Sequence, residues 1–174
     1  QIYWVCSLIE ESEALRAESA EKTFNYLKDN LNDLTVVMIH GRLTKPEKES
    51  IMKDFEMGKI NLLVATTVIE VGVNVPNASL MIVENAERLG LAQLHQLRGR
   101  VGRGSEKSIC ILLYQSPLSE NAKERLDILR QSNDGFLIAQ KDLELRGPGE
   151  ILGTQQTGIA SMKIANIVRD AYLL

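Results

Sequence analysis

The chain has 174 residues, of which 44% are hydrophobic and 25% charged, and its formal net charge is −3. Such values are ordinary for a globular protein with one domain and room for a small appendage. The slightly acidic balance excludes an overall basic field, so nucleic acid can be bound only through a local groove. No apolar run approaches the ~20 residues that a membrane-spanning helix needs.

The two cysteines, Cys6 and Cys110, lie far apart within apolar runs, and no C-x-x-C pair occurs. We therefore expect two buried free thiols in the reducing environment of the cytoplasm.

The first part of the chain alternates strand and helix patterns. Residues 2–9 (IYWVCSLI) and 35–39 (TVVMI) are short, β-rich apolar runs of the kind found in buried parallel strands. Because such a strand begins almost at Gln1, we expect the chain to be a piece of a longer protein. The helix between these strands has an apolar stripe at helical spacing: Ala20, Phe24, Leu27 and Leu31.

The next helix has a clear start signal. Thr44 is suited to the N-cap, Pro46 to the first turn, and Glu47 stands three residues after the cap, as in a capping box. Gly58 is suited to the position after the helix ends. The inner face is predicted to consist of Ile51, Met52 and Phe55.

Three further strands are predicted at 60–65, 79–83 and 109–114, with helices at 91–101 and after Ser119, the latter directing Ala122, Leu126 and Leu129 inward. Regular alternation of strands and helices predicts an α/β fold, with a parallel sheet and helices on both faces. This core should end near Gln131, giving a division into residues 1–131 and 132–174. Ligands of such folds collect at the carboxyl ends of the strands. Candidate polar residues follow those ends: His40, Gly41, Arg42, Thr66, Thr67, Glu84 and Asn85.

Residues 134–158 differ in character, with one helical stretch and a Gly-Pro-Gly turn. An arm that packs back on the sheet is one interpretation. Residues 161–174 have the pattern of an amphipathic helix, whose inner face would contain Ile164, Ile167, Val168 and Tyr172.

The helix predicted at 91–101 carries the most informative polar residues. Gln93, Gln96, Arg100 and Arg103 stand at offsets of three, seven and ten, which would place them on one side of a continuous helix. Leu91, Leu94, Leu97 and Val101 would form its buried stripe. Two arginines beside glycines suit a phosphate, although a solvated basic loop is the competing interpretation.

The chemistry that would complete such a site is missing from the sequence. There is no G-x-x-x-x-G-K-[ST] phosphate loop, no acidic pair placed for Mg²⁺, and His40 and His95 stand alone. The chain therefore resembles half of an active site, in which an arginine reaches a γ-phosphate held by another domain.

Two segments carry a family resemblance. VATTVIEVGVNVP and QLRGRVGR resemble motifs V and VI of superfamily 2 helicases and translocases, which lie in the second RecA-like domain. NDGFLIAQKDLELRGPGEILGTQQTG resembles the translocation motif of the RecG family of ATP-dependent DNA helicases. The transcription-repair coupling translocase shares both features, and a non-catalytic RecA-like binding module is a further alternative.

The resemblance implies roles for individual residues. Arg103 would be the arginine finger, Arg100 a second phosphate contact and Gln96 a nucleotide sensor, with Gly72 and Asn74 bordering ATP. Asp is commoner than Asn at the position of Asn74. The residues that contact the DNA backbone would be His40, Gly41, Arg42, Thr66 and Thr67. The residues that couple ATP hydrolysis to DNA movement would be Arg146 and Gln156.

The resemblance also implies partners. They are ATP with Mg²⁺, branched DNA such as forks and Holliday junctions, and two other domains of the same polypeptide. One is the first RecA-like domain, which would hold the phosphate loop, and the other is a DNA-binding wedge domain. The chain alone is expected to be inactive as an ATPase.

Overall fold

The computed structural model describes residues 1–7, 13–66, 78–102 and 108–146, except for the side chains of 13–17 and 146. Within these ranges the elements alternate as the sequence predicts. In chain order they are β1 (Ile2–Cys6), α1 (Glu13–Asn30), β2 (Val36–Ile39), α2 (Lys45–Glu56), β3 (Leu62–Thr66), β4 (Leu80–Glu84), a 3₁₀ turn (Ala86–Arg88), α3 (Leu91–Arg98), β5 (Ile109–Leu112), α4 (Glu120–Gln131) and α5 (Gly135–Arg146).

The five strands form one parallel sheet in the order β2-β3-β1-β4-β5. The predicted α/β class is confirmed, and the strand boundaries differ from the predicted ones by a few residues. β3 begins at Leu62 rather than at residue 60, and just before it the Asn61 side chain accepts a hydrogen bond from the Thr35 backbone N–H at 2.8 Å. Residues 8 and 9, predicted within the first strand, lie outside the described ranges.

Side chains of successive strand residues point to opposite faces of the sheet, and helices cover both faces. On one face α1 packs through Ala20 and Leu27 against Leu62 and Val64. On the other face the core contains residues from β1, β3, β4, α2, α3 and α4, among them Tyr3, Leu63, Met81, Phe55, Leu91, Leu94 and Leu129. The three-layer arrangement predicted from the sequence is therefore confirmed.

Local capping fixes where two of the helices begin. Glu47 Oε2 accepts hydrogen bonds from the Thr44 backbone N–H and from Thr44 Oγ1, both at 2.7 Å. These bonds lower the pKa of the Glu47 carboxyl. Ser119 Oγ likewise accepts from the backbone N–H of Ala122 at 3.2 Å, so both predicted helix starts are confirmed.

The chain continues from α4 into α5 through a short turn at Ser132–Asp134. Asp134 Oδ1 accepts a hydrogen bond from the Phe136 N–H at 2.9 Å, which caps the new helix. α5 packs against α3 and α4, and its Ile138 is 2% exposed within the main core. The helical stretch predicted in this region is confirmed, and it rests on helices rather than directly on the sheet. The division at residue 131 stays a prediction.

No helix in the described part of the chain has both the length and the apolar character required to cross a membrane.

Candidate nucleotide and nucleic-acid surfaces

The helix that carries the candidate nucleotide residues is shorter than predicted. α3 ends at Arg98, and Gly99 closes it by donating its N–H to the His95 carbonyl at 3.0 Å. Gly102 then has a φ of +82°, a conformation that side-chain-bearing residues rarely adopt. The prediction that Arg100 lies on one face of a continuous helix is therefore wrong. The leucine spacing continues to Val101, three residues beyond the end of α3.

The remaining residues of that predicted polar face are divided between different roles. Gln93 Oε1 accepts a hydrogen bond from the Gly90 N–H at 3.1 Å, so this side chain caps the start of α3. Gln96 is exposed near the other end of the helix. The predicted apolar stripe is confirmed: Leu91, Leu94 and Val101 are buried and Leu97 is partly buried.

Arg100 is half-buried just beyond α3, near the amino ends of the strands. Burial raises the pKa of Tyr3, at the start of β1, to about 12, and the positive charge of Arg100 acts in the opposite direction. That influence requires proximity between Arg100 and the beginning of β1. Gly102 likewise lies against Ser108, the residue before β5.

The candidate DNA-contact residues lie at the opposite, carboxyl ends of the strands. Ile39 pairs with Ala65, and Cys6 pairs with Thr66, so the residue after β2 and the last residue of β3 lie side by side. Thr66 is 7% exposed, whereas Gly41 and Arg42 are exposed. The Gly41 carbonyl accepts a hydrogen bond from Lys48 Nζ at 2.8 Å, which fixes the loop to α2.

His40 is the residue of this loop whose hydrogen bonding is incomplete. Its Nδ1 is buried and has no hydrogen-bond partner among the described residues. A buried polar nitrogen without a partner is unusual in folded proteins, so this loop is a candidate point for a ligand atom to bind.

Sequence reasoning placed Glu84 and Asn85 at a strand end but missed their polar partners, Ser7 and Gln115. Ser7 is fully buried, and its Oγ donates to the carbonyls of Glu84 and Asn85. Asn85 has a φ of 47°, and its Oδ1 accepts a hydrogen bond from Gln115 Nε2 at 3.0 Å. A serine directly after an apolar strand was the available signal. Its partners lie more than 70 residues away in the sequence.

Arg98 was also missed. Its Nη1 donates to the carbonyl oxygens of Leu129 at 2.6 Å and Ser132 at 2.8 Å, and its Nη2 lies 3.1 Å from His95 Nδ1. Both carbonyl groups belong to the end of α4, so nothing in the local sequence around Arg98 indicates them.

Several predicted site residues fall outside the described ranges: Thr67, Gly72, Asn74, Arg103 and Gln156. Arg146 is the last residue of α5, and its side chain is not described. Within the described ranges, no group of three or more His, Cys, Asp or Glu side chains is placed to hold a metal ion.

Comparison with known proteins decides the family. The sequence model described as "Helicase conserved C-terminal domain" matches residues 2–105. The chain belongs to this family. Residues 132–174 match a second model, described as "ATP-dependent DNA helicase RecG, domain 3, C-terminal". The resemblance to superfamily 2 helicases and to RecG is thereby confirmed.

Individual relatives agree with these matches. The ATP-dependent DNA helicase RecG of Escherichia coli K12 is 63% identical over 174 residues, which cover 100% of this chain and 25% of that protein. A structure of RecG bound to a three-way DNA junction has a TM-score of 0.73 and 42% identity, covering 99% of this chain and 22% of that chain. The chain thus spans about a quarter of the length of these relatives.

A likeness in fold alone extends to proteins of lower sequence identity. The C-terminal domain of the DEAD-box protein Dbp5 has a TM-score of 0.56 and 20% identity, covering 75% of this chain and 68% of that chain.

Proposed function

We propose that this chain is the C-terminal motor domain of a RecG-type, ATP-dependent DNA helicase that remodels branched DNA in recombination and repair. The observation that carries the proposal is the 63% identity to RecG across all 174 residues. The arrangement of the described candidates supports it. Gln96 and Arg100 lie towards the amino ends of the strands, and His40, Gly41, Arg42 and Thr66 lie at the carboxyl ends.

The nucleotide role falls to residues around the end of α3. Arg100, half-buried on a packed scaffold, is suited to a phosphate because a guanidinium donates two parallel hydrogen bonds. Arg103 would supply the arginine finger, which is worth about 10³–10⁵ in rate in comparable enzymes. Gln96, Gly72 and Asn74 would contact the remainder of ATP. The phosphate loop and the ligands of Mg²⁺ would be supplied by the first RecA-like domain.

The DNA role falls to the carboxyl ends of β2 and β3. His40, Gly41, Arg42, Thr66 and Thr67 provide hydroxyl, backbone and guanidinium donors, which bind phosphates without reading base sequence. Contact with the backbone alone suits a motor that moves along any DNA. Residues 132–174, with Arg146 and Gln156, would convert domain closure into DNA movement, while a separate wedge domain holds the junction.

The match of residues 132–174 to the RecG C-terminal model favours this function over the transcription-repair coupling translocase. The identity to an ATP-dependent helicase over the whole chain also disfavours a non-catalytic binding module.

The test is ATP hydrolysis by the full-length protein in the presence of a three-way junction, a linear duplex or no DNA. The expected result is hydrolysis that the junction stimulates more strongly than the duplex does. The chain of 174 residues alone should show no DNA-stimulated hydrolysis. Equal rates with all three, or robust turnover by the isolated chain, would contradict the proposal.

A further inference from the structure

Arg98 links α3 to the end of α4 through a single side chain. It belongs to the last turn of α3, and its Nη1 donates to the carbonyl oxygens of Leu129 and Ser132 at 2.6 and 2.8 Å. Leu129 is 4% exposed and Arg98 is half-buried, so this contact is largely shielded from water. Shielding strengthens a charged hydrogen bond and makes its loss costly.

The carbonyl groups that Arg98 binds lie where α4 ends. The last carbonyl groups of a helix have no partner within the helix and carry partial negative charge. A guanidinium satisfies two of them at once and complements that charge. Arg98 therefore fixes the point at which α4 stops and the turn towards α5 begins.

His95 extends the contact to α5 itself. A guanidinium has donors only, so in the contact at 3.1 Å Arg98 Nη2 donates and His95 Nδ1 accepts. His95 Nε2 in turn lies 3.3 Å from the position that a Cβ on Gly135 would occupy. The first residue of α5 thus lies directly against the imidazole ring that Arg98 orients.

The position of Arg98 in the sequence gives this link its significance. Gln96 and Arg100, two candidate nucleotide residues, stand two positions before and after it. Any displacement of this end of α3 must either break the bonds from Arg98 or move the α4–α5 turn with it.

We propose that Arg98, seated on His95, is the positioning residue that transmits movement of the nucleotide-bearing end of α3 to α5. This inference rests on the proposed function, and it names the physical connection between nucleotide hydrolysis and DNA movement. Arg98 is not a catalytic residue in this scheme, because it acts through the carbonyl groups of α4 and through the His95 ring.

The test compares two rates in the full-length protein: junction-stimulated ATP hydrolysis and unwinding of the same three-way junction. Arg98→Ala should lower the number of junctions unwound per ATP hydrolysed by about tenfold, a change typical of coupling between sites, while KM for ATP changes by less than about twofold. Arg98→Lys should give an intermediate value, since a lysine ammonium keeps the positive charge but lacks the planar fork that reaches the carbonyl oxygens and the imidazole from separate nitrogens.

Arg130→Ala is the matched control. Arg130 is likewise an arginine near the end of α4, in the last turn of that helix, but it is exposed and pairs with Asp127 at 3.3 Å. Its removal should leave the ratio of unwinding to hydrolysis unchanged.

A parallel fall in hydrolysis and unwinding, with an unchanged ratio in Arg98→Ala and Arg98→Lys, would overturn the proposal and leave Arg98 as a structural cap of α4. If Arg98→Ala does not fold, the ratio measured for Arg98→Lys decides alone. A wild-type protein that lacks junction-stimulated hydrolysis would instead overturn the proposed function.

Discussion

Gly102 and Ser108 lie so close that no side chain fits between them. A Cβ built on Gly102 would lie 2.1 Å from Ser108 Oγ and 3.0 Å from Ser108 Cβ, and the φ of Gly102 is +82°. This contact brings the segment after α3 against the start of β5.

Gly102→Ala is therefore expected to destabilise the fold by two effects, the unfavourable φ and the collision with Ser108. We expect a loss of about 2–3 kcal/mol in the free energy of unfolding, measured by chemical denaturation. Gly58→Ala is a natural control, because Gly58 has a φ of +76° and nothing within 4 Å of its built Cβ. It should cost only the backbone strain, about 1 kcal/mol. Equal losses in both variants would show that Ser108 moves aside freely.

Arg103→Ala in the full-length protein should abolish most ATP hydrolysis while leaving ATP binding nearly intact. The reason is that an arginine finger neutralises charge that develops only in the transition state, so kcat falls by about 10³-fold or more. Steady-state hydrolysis and binding of a fluorescent ATP analogue measure the two effects separately. A comparable loss of nucleotide affinity would assign Arg103 to ground-state binding instead.

Arg42→Ala should weaken DNA binding to a similar extent for every sequence and reduce the slope of log K against log salt by about 1, as the loss of one phosphate contact requires. Salt titrations of binding to two unrelated duplexes measure this. Lys22→Ala removes an equal charge from α1, where Lys22 pairs with Glu18 at 2.9 Å, and should leave the slope unchanged. Sequence-dependent losses in Arg42→Ala would indicate base contact.

Alkaline pH should destabilise the chain through Cys6. Burial, reinforced by the negative charge of Glu84, raises the pKa of the Cys6 thiol from 9.0 to about 12. Above pH 9 the unfolded chain releases this proton and the folded chain retains it. The stabilisation is thus complete below pH 9 and falls by up to ~1.4 kcal/mol per pH unit as pH rises towards 12.

Cys6→Ala removes this titration and should give a shallower fall in the free energy of unfolding between pH 8 and pH 11. Denaturant titrations at several pH values provide the comparison. Identical pH dependence in the two proteins would mean that Cys6 is not the responsible group. The phenol of Tyr3, with its pKa raised to about 12, acts in the same direction in both.

The sequence predicts the sheet and the helix starts well, because the signals are local. A short, β-rich apolar run bounded by turn residues favours a strand whichever neighbours it pairs with. Thr44 likewise finds its partner Glu47 three residues away. The end of α3 could not be predicted in the same way. The apolar spacing from Leu91 to Val101 favours a longer helix, whereas α3 ends at Arg98, before the turn in which Gly102 packs on Ser108.

Polar contacts between residues far apart in the sequence could not be predicted either. Arg98 binds carbonyl groups 31 and 34 positions away, and a backbone carbonyl looks the same in every residue of a sequence. Ser7 and Asn85 meet only because β1 and β4 are neighbours in the sheet. Such contacts depend on strand order, which residue spacing does not encode.

The separation of the two candidate surfaces has a thermodynamic consequence. β1 has 5 residues, so the loop that contains His40 and the segment that contains Arg100 are about 16 Å apart along the strands. Substitutions at that distance that share no neighbour act independently. The changes in free energy that they cause therefore add within about 0.5 kcal/mol. The two variants Arg42→Ala and Arg100→Ala can depart from additivity with ATP and not without it. Such a departure would measure the coupling free energy between the two ends of the strands.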